Sequence, residues 1–172
     1  MSAIIDNIYN NNTDLIKFLE DQKQVSFKID AEQNFKKGLL LSIASLFESR
    51  LMDIIESFFI KNTKNNTMAI EFVKSKGLKR QYHTFFNWNS ANANTFFALF
   101  GKKFKDQMVA KVKSDAKFDT GVKSFITLGE LRNRLVHKNF AEFNIEKTAN
   151  EIYNEFKQAL YFVDQIEKEL MK

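Results

Sequence analysis

Apolar residues recur at spacings of three and four along most of the chain, and that recurrence predicts helices. From about Asp30 to Phe59 the stripe runs Phe35, Leu39, Ile43, Leu46, Phe47, Leu51, Ile54 and Phe58. So wide a stripe belongs against other helices. Upstream, Asn10, Asn11 and Asn12 followed by Thr13 read as a break, with Asn12 or Thr13 as a helix N-cap. Lys61 to Thr67 (KNTKNNT) is a second polar break, followed by a short helix near Met68–Ser75, and Lys76–Ala91 reads as irregular. Another helix is predicted to start at Asn92 or Asn94 and to continue through Phe97, Phe100, Phe104, Met108 and Val112. Phe118–Val136 carries the stripe Val122, Phe125, Leu128, Leu131 and Leu135. The last helix is the best defined. Thr148 and Glu151 have the spacing of a capping box, and Ile152, Phe156, Leu160, Val163 and Leu170 follow at helical intervals. Lys168 and Lys172 sit near its C-terminal end, where cations favour the dipole.

The sum is an all-α fold, an antiparallel helical bundle in a single domain spanning residues 1–172. Residues 1–29 form an N-terminal helical extension, and residues 61–115 a helical elaboration inserted between core helices. Composition agrees. Proline is absent and glycine occurs five times, which leaves few punctuators for β-turns, while 19 phenylalanines supply the core. The absence of cysteine excludes a disulfide framework, a thiolate metal site and a cysteine nucleophile. No apolar run approaches the roughly 18 residues of a transmembrane span. The first residues carry no basic region ahead of an apolar stretch. The expectation is a cytoplasmic protein with no membrane partner.

Charge changes the picture locally. The formal balance is +5, and all of the excess lies in residues 71–118, which hold 10 Lys/Arg against 3 Asp/Glu. The segment is either a solvated lysine-rich face or a surface that attracts phosphates.

The chemistry concentrates in Gly129–Asn139, GELRNRLVHKN, at the end of an apolar helical stripe. Histidine titrates near neutrality and can give or take a proton. At a helix C-terminus its cationic form is favoured. Arginine offers a permanent fork of donors to phosphate oxygens, and asparagine adds a neutral donor and acceptor. Asn133 and His137 are four apart and share a face of a continuous helix. Arg132 and His137 are five apart, about 140° around the axis from each other. Either the helix ends or distorts near His137, or the arginine bends back, or the two meet across a dimer. No metal-ligand motif accompanies them, so no metal or other cofactor is called for. In RNA the 2′-hydroxyl can serve as nucleophile, leaving the protein only proton transfer and charge stabilisation. RNA is therefore the expected substrate, and a 2′,3′-cyclic phosphate or its hydrolysis product the expected end.

ELRNRLVHKN, an arginine, a polar residue and a histidine after four intervening positions, resembles the signature of HEPN domains. Over residues 30–170 the chain resembles the RiboL-PSP-HEPN branch, through FKKGLLLSIASLFESRLMDIIESFF, RQYHTFFNWNSANANTFFALFG and the capped last helix. The resemblance implies an all-α HEPN fold, a homodimer, and a composite site where both subunits' arginine and histidine face one cleft. It implies a metal-independent endoribonuclease of a toxin–antitoxin or phage-defence system. Arg132 and His137 are then the catalytic pair and Asn133 the polar partner. It also leaves open a non-catalytic module docking RNA or a partner protein, such as an antitoxin or another neighbour-encoded protein. A helical adaptor unrelated to RNA is a third reading.

Further candidates stand beside the motif. Glu48 is either an exposed charge or the acceptor that orients Arg132. Arg134, Lys138, Lys79, Arg80, Lys102 and Lys103 are the candidate RNA contacts. His83, with Tyr82 and Trp88, is either a substrate-holding group or part of a satellite core.

Overall fold

The computed structural model describes residues 2–172. Among the described residues there are seven α-helices and no strand. They are α1 (Ser2–Asp21), α2 (Val25–Asn62), α3 (Thr67–Phe72), α4 (Asn94–Ala98), α5 (Lys102–Ser114), α6 (Ala116–His137) and α7 (Ala149–Leu170). A π-helical turn, Val73–Leu78, continues α3, and a 3₁₀ turn covers Tyr82–Thr84.

Side-chain pairs fix the directions. Ser124 Oγ donates to Gln158 Oε1 at 2.6 Å, and Phe118 packs on Phe162. As α6 ascends in number α7 descends, so the two are antiparallel. Arg50 pairs with Asp164 and Glu167, while Lys36 reaches Ile145 O, so α2 runs with α7. Asp6 accepts from Tyr153 and Lys157, and Tyr9 donates to Asn150, which sets α1 against α7. The core between α2, α6 and α7 is aromatic. Phe125 lies at its centre, with ring centroids 5.5 Å from Phe47, 4.9 Å from Phe86 and 5.0 Å from Phe162. Phe47, Phe125, Phe156 and Phe162 are fully buried. Tilted rings at these separations are the favoured aromatic geometry.

Three local expectations are corrected. The asparagine run does not break a helix, because α1 passes through it. Asn12 Nδ2 donates to Ile8 O at 2.9 Å and Thr13 Oγ1 to Tyr9 O at 2.8 Å. These bonds to the preceding turn satisfy the polar side chains, while Ile5, Ile8, Tyr9 and Ile16 face the core. The long early helix starts at Val25, earlier than its stripe suggests, and its extra turns run beside α1, where Lys28 pairs with Glu20 at 2.9 Å. The predicted helix from Asn94 to Val112 is two helices. Gly101 adopts φ +91°, a left-handed conformation that glycine takes without a Cβ penalty, and turns the chain between α4 and α5.

The capping box forms as its sequence predicts: the Glu151 N–H donates to Thr148 Oγ1 at 3.1 Å, and the Thr148 N–H donates back to Glu151 Oε2 at 2.7 Å. Asp115 caps α6, accepting from the Phe118 N–H at 3.0 Å.

Candidate active site

Helix α6 delivers the motif. It is regular α-helix to His137, and Lys138 is its C-cap, donating its N–H to Arg134 O at 3.2 Å. The helix therefore does not distort ahead of the histidine. Arg132 and His137 stand about 140° apart on it.

Arg132 and Asn133 face a narrow cleft between α2, the 3₁₀ turn and α6. Its lining includes Glu48, Tyr82, His83, Trp88 and Gly129, and His137 is not part of it. Arg132 is half-buried, and its Nη1 donates to Asn133 Oδ1 at 3.2 Å. Asn133 thus links the two sides of the motif: its side chain holds Arg132, and its position shares a face with His137 one turn on. His137 is exposed on the last turn. The free volume of the cleft is about 10 Å³, at the lower limit for one water. No base or ribose fits inside.

Trp88 closes the inner end. A β-carbon at Gly129 would lie 1.9 Å from Trp88 Cζ3, so the glycine is what lets the indole lie on α6. Trp88 Nε1 donates to His83 O at 3.0 Å, which anchors the 3₁₀ turn. Tyr82 and Trp88 pack on Phe86 and join the main core rather than the satellite core expected for them. His83 itself is exposed and lies on the cleft.

Glu48 projects from α2 into the same cleft, half-buried. Among the described residues it makes no ion pair with Arg132, so the expected carboxylate–guanidinium fork is not formed. Both charges nevertheless act at close range. Burial pushes the Tyr82 phenol well above its ordinary value, Glu48 pushes it further, and Arg132 opposes the rise.

The remaining candidates are spread out. Arg134 reaches Glu130 at 3.8 Å and lies 5.6 Å from the Phe143 ring, with Lys138 Nζ 5.7 Å from the same ring. These two cations flank His137 on the closing turn. Lys79 and Arg80 are exposed on the connection between the π turn and the 3₁₀ turn, and Arg80 adopts φ +63°. Lys102 and Lys103 are exposed on the first turn of α5, where positive charge opposes the helix dipole. None of these six lines the cleft. Elsewhere in the basic segment Lys74 pairs with Glu56 and Lys111 with Glu169, each at 2.8 Å, so part of its excess charge is spent internally. Among the described residues no group of three or more His, Cys, Asp or Glu side chains is placed to hold a metal ion. Among the same residues no helix is long and apolar enough to cross a membrane.

Two lysines of α2 were not anticipated. Buried Lys37 donates to Phe140 O at 2.6 Å and Lys36 to Ile145 O at 2.8 Å. Together they fasten the loop that leaves His137. The signal in the sequence is a lysine one turn before Leu40 and Leu41 on a helix, a partly apolar face where an unpaired charge would be costly.

A model of RiboL-PSP-HEPN matches residues 6–172, nearly the whole chain. The chain belongs to the RiboL-PSP-HEPN family. No curated protein and no solved structure matches it. For a HEPN chain the all-α architecture is the expected one, and the arginine–histidine motif sits at the C-terminal end of a core helix with its asparagine between the two side chains' faces.

Proposed function

We propose that this HEPN protein is an endoribonuclease that cleaves RNA without a metal, at a site completed by a second copy of the chain. The observation that carries the reading is the split of the motif around α6. Arg132 and Asn133 belong to one cleft, whereas His137 is exposed outside it. With the two side chains about 140° apart on a regular helix, two α6 ends facing each other can place one protomer's His137 against its partner's Arg132.

In that site solvent water takes the proton of the 2′-hydroxyl as the 2′-oxygen attacks the adjacent phosphorus. The bond from phosphorus to the 5′-oxygen breaks, and His137 as imidazolium protonates the leaving oxygen. Arg132 balances the charge that grows on the phosphoryl oxygens, and Asn133 keeps its guanidinium in place. Proton transfer of this kind contributes roughly 10²–10⁴-fold. Glu48 supports Arg132 by its charge. Arg134, Lys138, Lys79, Arg80, Lys102 and Lys103 hold flanking phosphates. A toxin–antitoxin or phage-defence setting, in which a neighbour-encoded protein restrains or triggers the enzyme, accords with the family.

The test is complementation. Arg132→Ala and His137→Ala are each inactive alone. Refolded together they form a mixed dimer with one Arg132 facing one His137, and cleavage returns. A mixed dimer that forms and stays inactive contradicts the shared site.

A second reading has its own support. The Arg132 cleft is too small for any nucleotide, which suits a non-catalytic module that docks a partner protein through α6. Tight RNA-independent capture of one partner, with no cleavage of any RNA, would favour it.

A further inference from the structure

We propose that His83 is a substrate-contacting residue, seating the nucleotide beside the phosphate held by Arg132; the inference rests on the endoribonuclease reading above. Among the cleft-lining residues, His83 is the exposed side chain with hydrogen-bonding nitrogens. The cleft admits no base, and exposed His83 and half-buried Arg132 share its lining, so a nucleotide lying over its opening would meet both.

The turn that carries it is held on three sides. Trp88 Nε1 donates to the His83 carbonyl at 3.0 Å. The ring of buried Tyr82 meets the imidazole edge-on at 5.7 Å and 68°. The Thr84 N–H donates to Gln81 O at 2.8 Å. Core packing accounts for buried Tyr82 and half-buried Trp88. It does not account for His83, whose imidazole makes no hydrogen bond or ion pair among the described residues. An exposed, unpaired imidazole on a fixed turn is a ready surface for a base or a ribose hydroxyl.

The approach to it is cationic. Lys79 and Arg80 stand one residue ahead of the turn, before Gln81, and enter no ion pair among the described residues. Arg80 is held at φ +63°, a conformation costly for any residue with a β-carbon and tolerated where the surroundings enforce it. RNA drawn to this strip by its phosphates arrives at His83 and then Arg132. The ligand class is therefore single-stranded RNA, with His83 contacting a nucleotide next to the scissile bond.

The test uses the full chain in a His137→Ala background, which permits binding to be measured without turnover. A fluorescent single-stranded RNA of mixed sequence is titrated into this protein and into the same protein carrying His83→Ala. The loss expected is roughly five-fold or more, as for removal of one base-stacking ring, with dimer mass and thermal midpoint unchanged because the side chain is exposed. In otherwise unaltered enzyme, His83→Ala raises KM and leaves kcat close to its starting value. Equal affinity with and without His83 overturns the inference and leaves the nuclease reading standing. A loss of affinity that tracks loss of the dimer also overturns it. No RNA binding by either protein overturns both.

Discussion

The indole of Trp88 lies on the Cα of Gly129, where a β-carbon would come within 1.9 Å of Cζ3 and 2.3 Å of Cε3. Two opposed effects follow for Gly129→Ala. Alanine favours an α-helix interior over glycine by about 1 kcal/mol. Against this, the whole ring would have to leave its seat, and overpacking of a core costs about 1–3 kcal/mol. The obstructing atoms belong to a rigid ring, so the second effect wins. Gly129→Ala is expected to lower the thermal midpoint and to shift the emission of the only tryptophan to the red. An unchanged spectrum would show that the indole does not rest on α6.

Lys37 offers a second test. Its ammonium is buried and bonded to Phe140 O at 2.6 Å. Lys37→Met keeps the stem and removes the donor, leaving a carbonyl unpaired at a cost of about 1–3 kcal/mol. Hydrogen exchange should rise in residues 138–146 and leave α7 protected. Exchange rising evenly over the chain would instead mean a global loss of stability.

Glu48 and Arg132 line one cleft, and among the described residues no ion pair joins them. Glu48→Gln keeps the shape and removes the charge. Cleavage should fall by as much as about 10²-fold, the penalty for a slightly misplaced catalytic group, with folding unaffected. Full activity would reduce Glu48 to a cleft-lining carboxylate with no part in the chemistry.

Several structural carboxylates titrate below their ordinary range. The hydrogen bond from Lys157 holds Asp6 below 3.8, the Phe118 N–H does the same for Asp115, and the Thr148 N–H holds Glu151 below 4.5. With folded values depressed, the unfolded chain takes up protons first as pH falls. The stability these groups add is complete above their unfolded values and is lost on descending through the folded ones. Urea unfolding should be flat near neutrality and weaken below pH ~4. Asp6→Asn, which keeps a side-chain oxygen as acceptor for Tyr153 but removes the titrating charge paired with Lys157, should reduce that acid slope. An identical slope would place the acid sensitivity elsewhere.

Much of this was legible in the sequence, and the exceptions share a cause. Helices with a clear stripe and a local signal, such as α7 with Thr148 and Glu151, could be placed from the chain alone because cap and stripe are both local. The motif on α6 was legible for the same reason, down to the angle between Arg132 and His137. Helix α1 passes through its predicted break because Asn12 and Thr13 bond to their own preceding turn while Tyr9 stacks on Tyr153, more than a hundred residues away. The turn at Gly101 needed a backbone angle that sequence does not print. The cleft itself was out of reach, because Glu48, His83 and Arg132 come from three separated stretches. Lys37 was missed although its position on an apolar face marked it.

The most direct measurement of the central claim is cleavage of structured and unstructured RNA by purified protein in excess EDTA, beside Arg132→Ala and His137→Ala. The account predicts EDTA-resistant cleavage that leaves 2′,3′-cyclic phosphate ends and disappears in both variants while they stay folded. Cleavage that persists in His137→Ala, or that stops in EDTA and returns with a divalent metal, would contradict it.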